Sequence, residues 1–90
     1  MRGNEIKCFQ DIPNVGAIIE KKIFSLGITS PVELIGKDPY KLYKDLCENT
    51  HMKQDPCVLD VFISAVRYME GGPARKWWEY TEERQRYPGV

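Results

Sequence analysis

The sequence predicts an all-α domain of about five to six short helices. Apolar residues recur at helical spacing along most of the 90-residue chain, and glycines such as Gly27 and Gly36 stand where helices would stop. Three helix starts are marked by a capping residue followed by proline. These pairs are Ser30-Pro31, Asp38-Pro39 and Asp55-Pro56.

A short first helix is expected over Glu5–Asp11, ended by Pro13. The next residues form a tight hairpin. Asn14 and Gly16 both accept unusual backbone angles, and Val15 is held between them as an apolar peg.

The remaining elements follow from apolar spacing and the cap signals. We expect a helix over Gly16–Leu26, a connecting helical turn over Val32–Ile35 and a helix over Pro39–Glu48. The helix Pro56–Glu70 is the most apolar and is predicted to be the central, most buried one. A last helix is possible within Ala74–Arg86.

Length and composition predict one folded domain over residues 1–80, followed by a frayed tail over 81–90. The chain is 42% hydrophobic, yet it has no apolar run of the roughly 20 residues that a membrane span needs. Its N-terminus lacks the apolar core of a signal peptide, so a cytoplasmic protein without membrane contact is expected. Three cysteines are an odd number and predict reduced thiols.

The charge balance limits the classes of partner. Thirteen basic and thirteen acidic side chains cancel, whereas non-specific nucleic-acid binding comes mainly from excess positive charge. Any affinity for DNA must therefore come from local geometry.

Several segments together resemble the pathogenicity-locus family of small bacterial proteins. The hairpin and the later Leu26-Gly27-Ile28 are similar to a helix-hairpin-helix motif, whose turn usually reads Pro-Gly-apolar-Gly. The family resemblance adds Leu46–Thr50, Gln54–Phe62, Ala65–Tyr68 and Trp77-Trp78. It implies a SAM-like or tandem helix-hairpin-helix arrangement with one intact hairpin and one degenerate hairpin, the second near Asn49–Gln54.

The helix-hairpin-helix resemblance implies DNA binding through backbone phosphates, without sequence preference. Unpaired amides at the start of the second helix would face a phosphate, and two lysines would add positive charge. Three residues depart from the usual motif: Asn14 replaces its first glycine, Ala17 removes a polar side chain, and Glu20 puts a negative charge near the anion site. A purely structural hairpin remains the alternative. The candidate contact residues are Asn14, Val15, Gly16, Ala17, Ile18, Lys21 and Lys22.

Trp77 and Trp78 form a second candidate surface. Neighbours on a helix point in different directions, so one indole can cover the core while the other stays partly exposed. The pair would then either cap the bundle or contact a protein, including a second copy of the chain. Arg75 and Lys76 would favour a nucleic acid, but nearby carboxylates oppose this, at Glu79, Glu82 and Glu83.

Other chemistry is poorly supported by the sequence. Cys8, Cys47, His51 and Cys57 supply the ligand count of a Cys3His zinc site, but without a Cys-x-x-Cys knuckle they are better explained as structural residues. Asp38 lies 22 positions after Gly16, near the spacing of a repair-glycosylase aspartate. The chain has no room for a second lobe, so Asp38 is better explained as a helix N-cap. We expect no metal, no cofactor and no enzymatic activity.

Overall fold

The computed structural model describes residues 8–72 and 74–86. Within them the chain forms four α-helices: α1 (Ala17–Ser25), α2 (Pro39–Thr50), α3 (Pro56–Met69) and α4 (Thr81–Gln85). Three 3-10 turns accompany these helices, at Phe9–Asp11, Pro31–Leu34 and Trp77–Tyr80. No strand occurs in the described ranges, and the predicted all-α class is confirmed. The expected first helix is a single 3-10 turn in the described residues, and the expected last helix is divided into a 3-10 turn and α4.

The first predicted helix is shorter than expected. Of Glu5–Asp11, residues 5–7 lie outside the described ranges, and the rest contains only the 3-10 turn Phe9–Asp11. The Asp11 carboxylate accepts the Cys8 N–H at 3.2 Å, which closes the turn locally. Pro13 then prevents the turn from extending into a longer helix. Phe9 is 1% exposed, and its burial in the core holds this turn in place.

Aspartate caps begin α2 and α3, as predicted. Asp38 Oδ1 accepts the N–H of Tyr40 at 2.9 Å, and Asp55 Oδ1 accepts the N–H of Cys57 at 2.9 Å. Each carboxylate satisfies one of the amides that the first helical turn leaves without an acceptor. The proline that follows each aspartate fits the first helical position because its missing N–H is not needed there.

The connecting turn Pro31–Leu34 is held by Glu33. The Glu33 carboxylate accepts the Thr29 N–H at 3.0 Å, the Thr29 hydroxyl at 2.9 Å and the Ser30 N–H at 2.8 Å. These hydrogen bonds hold the pKa of Glu33 below its usual value, and the bond from the Thr29 hydroxyl has the largest effect. Ser30 is the N-cap of this turn, as the Ser30-Pro31 pair predicts, and Glu33 is its third residue.

The helix α3 is the centre of the domain, as its composition predicts. The helix α2 and the 3-10 turns Pro31–Leu34 and Trp77–Tyr80 pack on it. Burial of apolar surface on several sides of one helix is the main source of stability available to a chain of this size. The buried residues of α3 are Val58, Leu59, Asp60, Val61, Phe62, Ile63, Ser64, Ala65, Val66 and Met69.

Two of these buried residues are polar, and they lie four positions apart on one face of α3. Asp60 is completely buried. Its carboxylate accepts hydrogen bonds from Arg84 Nε at 2.9 Å and from the Thr81 hydroxyl at 2.7 Å. Ser64 is 3% exposed, and its hydroxyl accepts a hydrogen bond from Asn14 Nδ2 at 2.8 Å. This face of α3 therefore holds both the C-terminal helix and the turn that precedes α1.

A second set of polar contacts joins α4 to the other helices. Glu83 Oε2 accepts the Tyr40 hydroxyl at 2.7 Å and Arg67 Nη2 at 2.7 Å. The pKa of Tyr40 is raised to about 12. Burial is the larger cause, and the hydrogen bond to Glu83 is the next. The expected frayed tail over 81–90 thus begins with a docked helix over Thr81–Gln85. Residues 87–90 lie outside the described ranges, and a domain boundary at residue 80 stays a prediction.

Replacing Asp60 by asparagine tests the buried tie between α3 and α4. Asp60→Asn leaves Arg84, 17% exposed, beside a neutral group, and we expect the free energy of unfolding to fall by about 2–4 kcal/mol. Asp45→Asn is the matched control. It removes an exposed i,i+4 partner of Lys41 at 3.9 Å, which is worth under about 0.5 kcal/mol. Urea unfolding followed by circular dichroism measures both, and equal losses would contradict the assignment.

Candidate nucleic-acid interface

The predicted hairpin is a tight turn, and Asn14 is the residue in it with an unusual backbone conformation. The turn is closed by a hydrogen bond from the Val15 N–H to the Ile12 carbonyl at 3.1 Å. Asn14 has a φ of 73°, the left-handed conformation that asparagine tolerates better than most residues. We call residues Ile12–Gly16 the Asn14 turn.

Gly16 does not adopt an unusual backbone angle, contrary to expectation. It is the N-cap residue of α1, with φ −101° and ψ −173°, an extended conformation open to any residue. A Cβ at Gly16 would meet no heavy atom within 4 Å. Because glycine has no side chain, Gly16 cannot cap the start of α1, and no side-chain hydrogen bond caps it in the described residues.

The side chain of Asn14 is engaged inside the protein. Besides the Ser64 hydroxyl, Asn14 Nδ2 donates to the backbone carbonyl of Arg75 at 2.6 Å. Val15 is 6% exposed and belongs to the core. Asn14 and Val15 were both predicted to contact DNA. Their side chains instead make contacts within the protein.

The start of α1 is open to solvent. Gly16, Ala17 and Ile18 are all exposed, Ile18 to 73%. The first amides of an α-helix have no acceptor within the helix, and the helix dipole places partial positive charge there. Unlike α2 and α3, α1 carries no carboxylate N-cap that would satisfy these amides, although Glu20 in its first turn places a negative charge near them.

The two predicted lysines differ. Lys21 is exposed, whereas Lys22 Nζ donates to Gln54 Oε1 at 2.8 Å. Gln54 is 9% exposed, so Lys22 joins α1 to the loop between α2 and α3. Glu20, which was expected to weaken an anion site, accepts a hydrogen bond from Gln10 Nε2 at 3.1 Å. Lys21 is the lysine of α1 whose ammonium group is available to a ligand.

The structure brings a second basic segment to the Asn14 turn. The hydrogen bond from Asn14 to the Arg75 carbonyl connects residues 61 positions apart. Arg75 and Lys76 are exposed, and neither has a carboxylate within 4.0 Å among the described residues. Two cationic side chains thus project from the segment that contacts the Asn14 turn.

The carboxylates that were expected to oppose these cations are all engaged. Glu79 Oε2 accepts the backbone N–H of Lys76 at 2.9 Å. Glu82 pairs with Arg86 at 2.5 Å, and the partner of Glu83 is the Arg67 guanidinium described above. Glu82 and Glu83 are therefore offset by arginine partners, whereas Glu79 keeps its negative charge next to Lys76 because a backbone N–H carries no net charge.

The two tryptophans have different environments. Trp77 is half-buried and packs against the core, while Trp78 is 56% exposed. Their rings meet edge to face, with centroids 5.5 Å apart and an interplanar angle of 84°. Trp78 follows Lys76 by two positions, so its exposed indole lies close in the chain to the two cations.

Comparison with known proteins identifies the family of this chain. The family model described as "Pathogenicity locus" matches residues 2–86. The chain belongs to the pathogenicity locus family. One relative is the "Mitomycin resistance protein McrB" of Streptomyces lavendulae. The two proteins are 42% identical over 73 residues, which cover 81% of this chain and 70% of the relative. No solved structure matches the chain.

The other sequence candidates have structural roles in this member of the pathogenicity locus family. Cys47 Sγ accepts the Gln54 N–H at 3.4 Å, and His51 ends α2 in a left-handed conformation with φ 56°. Asp38 is the N-cap of α2. Within the described ranges, no three histidine, cysteine or acidic side chains are grouped to hold a metal ion. No helix of that part of the chain has the length and apolar character of a membrane span.

Replacing Asn14 by glycine separates backbone preference from side-chain bonding. Glycine suits a φ of 73° better than asparagine does, but Asn14→Gly deprives the buried Ser64 hydroxyl and the Arg75 carbonyl of their donor. We expect the free energy of unfolding to fall by about 1–3 kcal/mol in urea titrations. The Asn14→Gly/Ser64→Ala pair should lose less than the sum of the single changes because the two groups share one bond. A stability equal to or above that of the parent protein would refute this account of the turn.

Proposed function

We propose that this protein is a non-enzymatic DNA-binding domain that contacts backbone phosphates without sequence preference. The contact surface, which we call the turn surface, consists of Gly16, Ala17, Ile18, Lys21, Arg75 and Lys76. The observation that carries the proposal is the hydrogen bond from Asn14 to the Arg75 carbonyl at 2.6 Å. This bond holds beside the uncapped start of α1 a segment with two cations that have no ion-pair partner among the described residues.

The physical basis is a combination of amides, dipole and charge. Exposed N–H groups at the start of α1 are oriented donors for a phosphate oxygen, and the helix dipole favours negative charge there. Arg75 and Lys76 add full positive charges, which bind phosphates with release of counterions. None of these groups reads a base edge, so the binding is sequence-independent.

The architecture is consistent with this proposal. The turn Phe9–Asp11, the Asn14 turn and α1 correspond to the two arms and hairpin of a helix-hairpin-helix unit, with a short first arm. The helices α2 and α3 would form a second unit in a SAM-like arrangement, with the polar loop between them as a degenerate hairpin. The neutral overall charge implies weak binding, and its dependence on salt is set by the few cations of the turn surface.

A protein-contact role is the second candidate. It is favoured by the exposure of Trp78 (56%) and of Ile18 (73%), because large apolar side chains on a surface often mark interfaces. In this alternative the Asn14 turn is purely structural, and the partner is another protein or a second copy of the chain. The relative's name states resistance to mitomycin and does not name a macromolecular partner.

Charge reversal on the turn surface tests the DNA-binding proposal. We expect Arg75→Glu/Lys76→Glu to weaken binding of labelled duplex DNA by about tenfold or more at low salt. The slope of log affinity against log salt should fall by about 1 to 2 because each lost phosphate contact removes about 0.9. Fluorescence anisotropy at low and moderate salt measures both quantities.

Lys37→Glu/Lys44→Glu is the matched control. It makes the same change in net charge with lysines that are also exposed but lie outside the turn surface. This variant should bind within about threefold of the parent protein, through long-range electrostatics only. No binding by the parent at low salt, or equal losses in the two variants, would refute the proposal and favour the protein-contact role.

A further inference from the structure

Phosphate binding at the turn surface gives no role to the exposed indole of Trp78. More than half of this residue is open to solvent, at 56%, and its ring meets that of Trp77 edge to face, with centroids 5.5 Å apart. Trp77 is itself packed on the core. Trp78 is thus fixed by a neighbour that the fold holds in place, and it remains accessible.

We infer that Trp78 stacks on an unpaired base of single-stranded DNA whose backbone lies on the turn surface. The inference rests on the proposed function and specifies its substrate class. Bases in a duplex are already stacked on each other, whereas the bases of a single strand offer free faces to an aromatic side chain. Stacking is tolerant of sequence because every base has such a face, which agrees with recognition through phosphates alone.

The spacing of cations and indole suits a short piece of one strand. Arg75 and Trp78 are three residues apart, which limits their Cα atoms to a separation of about 11 Å. Arg75 is also the residue whose carbonyl contacts Asn14. Trp78 is therefore the exposed aromatic side chain nearest in the chain to the cations that would hold the strand.

The surroundings of Trp78 favour a nucleic acid over an apolar protein partner. The side chains immediately before Trp77-Trp78 are Arg75 and Lys76, both exposed and without a carboxylate in ion-pair range among the described residues. The carboxylate of Glu79 is directed to the Lys76 N–H at 2.9 Å. An indole flanked by free cations is the combination found in single-strand binding grooves, where charge follows the backbone and aromatic rings take the bases.

The experiment uses the fact that the chain contains two tryptophans. Trp77→Phe leaves Trp78 as the sole indole, and its fluorescence is followed during titration with an oligothymidylate of about 12 nucleotides, within usual single-strand site sizes. We expect strong quenching in this variant. The reciprocal variant, Trp78→Phe, keeps Trp77 and should show little quenching. Circular dichroism checks that both variants are folded.

Affinities supply the second readout. Trp78→Ala should bind the oligothymidylate about tenfold or more weakly, in line with the loss of one stacked base. It should bind a duplex of the same length within about twofold of the parent protein. Trp78→Tyr should recover much of the single-strand affinity because it restores an aromatic face.

The possible outcomes distinguish this inference from the proposed function. Equal weakening for single strand and duplex, or no effect of Trp78→Ala on either, overturns stacking while salt-dependent duplex binding still supports the phosphate surface. Absence of binding to any DNA overturns both. Tighter binding to an oligouridylate than to the oligothymidylate overturns DNA as the substrate class. Loss of self-association in Trp78→Ala without an effect on DNA assigns the indole to a protein contact.

Discussion

The burial of α3 on several sides is the constraint on which the other elements depend. Its apolar residues provide most of the core, and two polar residues on one of its faces determine what packs there. Asp60 holds α4 through Arg84 at 2.9 Å, and Ser64 holds Asn14 at 2.8 Å. A buried polar group needs a partner because its desolvation is otherwise uncompensated. The same helix that forms the core therefore also positions the turn surface.

Local chemistry made much of the fold predictable. The cap-and-proline pairs at Asp38 and Asp55 determined the starts of α2 and α3, since a carboxylate cap and a fixed φ act over two or three residues. The apolar composition of residues 56–70 identified the central helix. The first helix and the C-terminal tail were less predictable. Short segments are helical only when they dock, and the docking of α4 depends on Asp60, which lies 24 positions from Arg84.

The candidate site was predictable only in part. The exposed start of α1 followed from the hairpin pattern, which also made Lys21 a candidate contact residue. The engagement of Lys22 by Gln54 and the position of Arg75 beside Asn14 depend on tertiary contacts over 32 and 61 residues. No local pattern encodes such contacts. Asn14 was the missed signal, since an asparagine in place of the usual hairpin glycine has a side-chain amide that needs acceptors where it is partly buried.

The central claim is that amides at the start of α1 and the Arg75–Lys76 segment form one phosphate-binding surface. Nuclear magnetic resonance tests it most directly, by titrating uniformly 15N-labelled protein with unlabelled DNA at low salt. The account predicts that the amide signals of Gly16, Ala17 and Ile18 shift together with those of Arg75 and Lys76, along one saturating curve that salt reverses. Shifts confined to other surfaces, or no shifts at saturating DNA, would contradict it.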